Sequence, residues 1–109
     1  MFSDTKIKEK INPKKFLKII NKYSPEQIEC TSHTFFRLSQ KQREIFIPDE
    51  LKRILLTETP FLSGVQYNGN YAVFYEYENK SLKIILNINK QKVNIVTFYF
   101  IEQWQIPKI

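Results

Sequence analysis

Residues 65 to 101 read VQYNGNYAVFYEYENKSLKIILNINKQKVNIVTFYFI, and their alternation decides the fold class. Leu82, Ile84, Leu86 and Ile88 alternate with Lys83, Ile85, Asn87 and Asn89. A strand here buries one face and leaves the other more polar. Within Val93 to Ile101, strict alternation puts Val96, Phe98 and Phe100 on one face and Ile95, Thr97 and Tyr99 on the other. This strand is expected to be central, with its Thr97/Tyr99 face bordering a cleft. Asn68-Gly69 suits a tight hairpin turn between Val65-Gln66-Tyr67 and Asn70 to Glu78, and residues 78–81 and 89–92 carry further turn signals. Three or four strands in succession make an antiparallel meander.

Upstream, the apolar period lengthens to that of helices. Asn12-Pro13 pairs a capping side chain with a proline at the first helical position, and Phe16, Leu17, Ile20 and Tyr23 follow at helical spacing, which predicts a helix over about 13–23. Residues 28–32 are expected as a brief strand or extended entry to a second helix that Thr31 or Ser32 caps and that ends near Glu44. Pro48-Asp49-Glu50 opens a third helix, with Leu51, Ile54 and Leu55 as its buried stripe and Pro60 as its stop. Helices followed by a sheet of about four antiparallel strands mean α+β. One domain is expected over 1–109, with 1–24 as a lysine-rich helical extension to a core over 25–109.

Length and composition bound the function. A chain of 109 residues with 42% hydrophobic content supports one core. No apolar run approaches a membrane span, and Met1 to Ile11 is charged rather than apolar, so a cytosolic protein without signal peptide is expected. A single cysteine, Cys30, and a single histidine, His33, give neither a disulfide nor a soft-metal site. No cofactor is expected, because Walker, dinucleotide-binding, Gly-x-Ser-x-Gly and His-Glu-x-x-His motifs are all absent. Of the net charge of +6, residues 1 to 23 hold seven lysines against Asp4 and Glu9. Such a segment attracts nucleic acid or an acidic protein by salt-sensitive steering, or simply keeps a solvated face soluble.

His33 and Arg37 are four residues apart, one turn if helical, and Arg43 returns to a similar side. Cleavage of RNA by its own 2′-hydroxyl needs a base, charge stabilisation at phosphorus and an acid for the leaving 5′-oxygen. Histidine, arginine and tyrosine or lysine supply these without a metal. Nearby arginines would lower the pKa of His33 and favour its neutral form. A lone histidine at a strand-helix junction also serves as a cap or a satisfied core residue. Tyr99 and Thr97 suit hydrogen bonds to phosphate, or packing; Tyr71, Tyr75 and Tyr77 share one strand parity and suit either packing or a base platform. Trp104 reads as a hydrophobic anchor for the C-terminal tail or as a partner contact, and Cys30 as a small buried hydrophobe.

The order Thr31-Ser32-His33-Thr34-Phe35-Phe36-Arg37, then Ile47-Pro48-Asp49-Glu50-Leu51, then Val96-Thr97-Phe98-Tyr99 resembles small toxin-like domains related to RelE and BrnT, within the barnase/EndoU/colicin/RelE group of ribonucleases. The resemblance spans about residues 28 to 101. It implies His33 as general base or acid, Arg37 as phosphate clamp, and Tyr99 or Thr97 as supporting groups. The family pattern has an arginine eight residues after the histidine; position 41 is lysine, leaving Lys41 or Arg43 for the second phosphate contact. It also implies an RNA substrate, mRNA on the ribosome or tRNA, and an antitoxin protein that covers the cleft. Lys14 and Lys18 are expected to add RNA contacts.

Two other functions fit the same residues. A non-catalytic nucleic-acid-binding or regulatory module, of a virus or mobile element, would use the lysines and tyrosines without bond cleavage. A protein-interaction module would use Trp104 and the C-terminal tail.

Overall fold

In the computed structural model, residues 6–30 and 48–106 are described. The chain is α+β. Six strands, β1 (Ile7–Ile11), β2 (Ile28–Cys30), β3 (Leu62–Gln66), β4 (Tyr71–Tyr77), β5 (Lys80–Ile88) and β6 (Val93–Ile101), form one sheet in the order β1-β3-β4-β5-β6-β2. Helices α1 (Pro13–Ile20) and α2 (Pro48–Thr57) pack on one face of it. The expected meander is present as β3 to β6, but the sheet is wider and mixed, because β2 joins β6 in parallel.

The turns form where side chains complete them. Gly69 takes φ +90° after Asn68, whose side chain accepts from the Asn70 amide at 3.0 Å. Glu78 and Asn79 both hold positive φ (48° and 67°) between the paired Tyr77 and Lys80, the backbone that a two-residue hairpin requires. Asn89 accepts from the amides of Gln91 and Lys92 at 2.8 and 2.9 Å and closes the β5–β6 connection.

Helix α1 begins as its sequence dictates, with the Asn12 side chain accepting from the Lys14 amide at 2.8 Å and Pro13 at the first position. It ends at Ile20 rather than Tyr23. Asn21 turns its side-chain amide back onto the Leu17 carbonyl (2.8 Å), and Tyr23 leaves the helix to donate its hydroxyl to the Asn89 carbonyl (2.6 Å). Phe16 and Ile20 of α1 and Leu51, Ile54 and Leu55 of α2 are buried against Val73, Leu82, Ile84 and Ile95. Full burial of side chains this size stabilises by about 1.5–3 kcal/mol each.

Residues 7–20 are therefore no extension to the core. Ile7–Ile11, five residues with three charged ones between two isoleucines, becomes the edge strand against β3, with the Ser63 hydroxyl donating to the Ile11 carbonyl at 2.8 Å. Backbone pairing along β3 outweighs the weak local pattern.

Strand β6 also departs from strict alternation. Ile85 pairs with Thr97 and Leu86 with Ile95, so Val96 is an extra residue, a β-bulge. Two-residue alternation breaks there. Val93, Ile95, Phe98 and Phe100 all belong to the helix-covered core, while Val96 joins the smaller cluster of Leu62, Ala72, Phe74 and Ile85 on the opposite face. The expected grouping of Val96 with Phe98, and of Ile95 with Thr97, fails for this reason. Among the described residues no helix is long and apolar enough to cross a membrane.

Candidate functional site

The bulge in β6 aims Thr97 and Tyr99 at the sheet face away from the helices. Opposite them on β5 stand Ile85 and Lys83, each in direct register. Lys83 is only 7% exposed, and its ammonium lies 5.6 Å from the centre of the Phe74 ring and 5.5 Å from that of Tyr99. Negative π-faces on two sides hold the cation, an arrangement worth about 0.5–2 kcal/mol per contact depending on solvent access. Thr97 is equally buried and Tyr99 half-buried. One face thus gathers an ammonium, a hydroxyl and a phenol. These are hydrogen-bond donors suited to a phosphate oxygen, and the phenol can also deliver a proton to a leaving oxygen.

Lys83 was missed by sequence reading, because alternation assigned it to a merely polar face. The signal available was its place opposite Tyr99, which appears only once the bulge sets the register. Further along the same two strands, Ser81 and Ile101 line a cleft of about 300 Å³ together with Asn79, Lys80, Phe100, Glu102 and Gln103. The Lys80 ammonium sits 5.1 Å from the centre of the Phe100 ring at its wall.

His33, Arg37, Lys41 and Arg43 lie outside the described residues. Cys30, the last described residue before them, pairs with Ile95 in the parallel β2–β6 ladder, two residues from Thr97. Lys14 and Lys18 are exposed on α1. That helix packs on the opposite face of the sheet, so they are not brought together with Thr97 and Tyr99. The tyrosine platform is not formed. Tyr71 and Tyr77 pack against the helix-covered core and Tyr75, 2% exposed, lies within it. Trp104, expected as a hydrophobic anchor or a partner contact, lies in the short turn Gln103–Gln105 and is 81% exposed, so it is not a buried anchor.

Two further chemical groups are accounted for structurally. Arg53 donates from Nε and a terminal nitrogen to the two Glu50 oxygens (2.7 and 3.1 Å), and the Tyr77 hydroxyl donates to Glu50 at 2.9 Å. The Arg53 hydrogen bond outweighs the opposing effect of burial and, with a further contribution from Tyr77, holds the Glu50 carboxyl below its ordinary range. This network fastens the start of α2 to the end of β4. Burial pushes the Cys30 thiol up to about 11, against a weaker lowering by Lys52, so it is a poor nucleophile at neutral pH. Among the described residues no three His, Cys, Asp or Glu side chains are grouped to hold a metal ion. The chain matches no family model, and neither curated proteins nor solved structures give a match.

Proposed function

We propose that the chain is a metal-independent endoribonuclease of the RelE-like toxin type, cleaving mRNA or tRNA and held in check by an antitoxin protein. The observation that carries this reading is the parallel pairing of β2 with the β-bulged strand β6. Cys30 stands beside Ile95, three residues before His33, and three residues of chain span at most roughly 11 Å. A short tether therefore joins the Thr97/Tyr99 strand to the segment carrying His33 and Arg37. The order of a short strand, helix α2 and a meander whose last strand carries Thr97-Phe98-Tyr99 supports this reading.

In this mechanism neutral His33 takes the proton of a ribose 2′-hydroxyl, whose oxygen attacks the adjacent phosphorus. Arg37, with Arg43 or Lys41, stabilises the charge on the non-bridging oxygens. Lys83 adds a fixed cation behind Tyr99. The bond to the 5′-oxygen breaks, Tyr99 supplies the proton that oxygen needs, and the products are a 2′,3′-cyclic phosphate and a 5′-hydroxyl.

The test is incubation of the purified protein with tRNA and mRNA in EDTA, beside His33→Ala and Tyr99→Phe. Fragments from the parent protein that both variants fail to make support the reading. Intact RNA with a folded, antitoxin-free protein removes it and leaves the non-catalytic nucleic-acid-binding module, which the exposed lysines of α1 favour.

A further inference from the structure

We infer that the rim formed by β1 and α1 is a docking surface for single-stranded nucleic acid, with the lysines holding phosphates and Tyr67 stacking on a base. This goes beyond the ribonuclease reading, since β1 stands four strands from β6 in the sheet, and it is tested by binding rather than by cleavage.

Between residues 6 and 22 the chain carries Lys6, Lys8, Lys10, Lys14, Lys15, Lys18 and Lys22 against the single acid Glu9. All seven lysines are exposed, and none of them takes part in the ion pairs of Arg53 with Glu50 and Glu58 or of Lys92 with Glu29. Only Asn12 separates β1 from α1. The strand is about 17 Å long and the helix about 12 Å, so the seven charges lie along one sheet edge and the helix that follows it. Lysines on an edge strand protect it from pairing with another sheet. That explains Lys8 and Lys10, but not Lys14, Lys15 and Lys18 on a helix.

The second observation is aromatic. Among the described residues the exposed large hydrophobic side chains are Phe61, Tyr67 and Trp104, and the first two flank β3, the strand paired with β1. Tyr67 is 68% exposed, and its amide donates to the Lys6 carbonyl at 3.2 Å. The Tyr67 backbone is thus tied to the start of the lysine-bearing segment, with its side chain open to solvent. Interleaved cations and an open aromatic face match the alternating charge and π-surface of a single strand. A duplex hides its bases from Tyr67. A membrane would ask α1 for an apolar face between its lysines, but Phe16 and Ile20 are spent on the core.

The experiment is fluorescence anisotropy with a labelled 12-nucleotide 2′-O-methyl oligouridine, which lacks the attacking hydroxyl, over a range of salt concentrations. The parent protein should bind with log affinity falling by about 0.7 per neutralised phosphate for each unit of log salt. Lys8, Lys14 and Lys18→Gln together should lower that slope by roughly 2. Tyr67→Ala should leave the slope unchanged and weaken binding about 5- to 150-fold. A matched duplex should bind less tightly and lose nothing with Tyr67→Ala. The inference is overturned by absent binding at 50 mM salt, by an unchanged slope in the triple variant, by indifference to Tyr67→Ala, or by lysine-dependent binding to anionic vesicles without oligonucleotide binding. Binding as described without RNA cleavage removes the ribonuclease reading alone; cleavage with binding unaffected by these variants removes this inference alone.

Discussion

Replacing Tyr75 by phenylalanine should stabilise the protein. Tyr75 is 2% exposed, faces the helices from the middle of β4 opposite Leu82, and its hydroxyl oxygen has no hydrogen-bond partner among the described residues. Leaving such a group unpaired costs about 1–3 kcal/mol, while the ring, which phenylalanine keeps, supplies the packing. A gain of about 1 kcal/mol is therefore expected, raising Tm by roughly 4–8 °C in a domain near this size. Urea unfolding at pH 7 measures it directly, with an unchanged m-value showing that the same surface is exposed. A pH series adds an independent check. Burial, with a smaller push from Glu58, raises the pKa of this hydroxyl far above its ordinary value. The folded protein then keeps a proton that the unfolded chain releases above pH of about 10. Parent stability should fall there with rising pH, and Tyr75→Phe should lack that component. A loss of 1 kcal/mol or more at pH 7 would refute the reasoning, because it would mean that the hydroxyl is bonded.

Gly64→Ala should destabilise by about 1–3 kcal/mol in urea melts, since a β-carbon there would sit 2.6 Å from Ile7 Cγ2 and 2.9 Å from the Glu9 carbonyl oxygen. An effect below a few tenths of a kcal/mol would show that β1 yields freely. Glu50→Gln should cost under about 1 kcal/mol at pH 7. Because the folded pKa of Glu50 is lowered, that contribution is complete above the ordinary carboxylate range and disappears as pH falls through the lowered value, so the two proteins should converge in stability in acid. Iodoacetamide at pH 8 should alkylate Cys30 on the order of 100-fold more slowly in the folded protein than in urea, given a thiol raised to about 11; equal rates would contradict its burial.

Local chemistry made much of the fold legible. Asn12-Pro13, Pro48-Asp49-Glu50 and Asn68-Gly69 each encode a boundary in side-chain hydrogen bonds or backbone preference that needs no tertiary partner, and each stands where expected. The parts that were not legible depend on partners distant in sequence. Ile7–Ile11 is a strand only because β3 offers an open edge. Val96 breaks the alternation through a bulge set by register against β5, which no pattern within β6 reveals. The same slip decides the candidate site: Thr97 and Tyr99 do share a face, yet their companion is Lys83, a residue that polarity alone assigned to solvent. Trp104 misled for the opposite reason, since a large apolar side chain does not specify whether its own chain or a partner covers it.

The ribonuclease claim is tested most directly with a defined oligoribonucleotide in EDTA and the same oligomer carrying 2′-deoxyribose at the mapped cleavage position. The account predicts cleavage of the first, with a 2′,3′-cyclic phosphate identified by mass spectrometry on the upstream fragment, and an intact second oligomer. Cleavage of the 2′-deoxy substrate, or no cleavage of either by the folded protein, would contradict it.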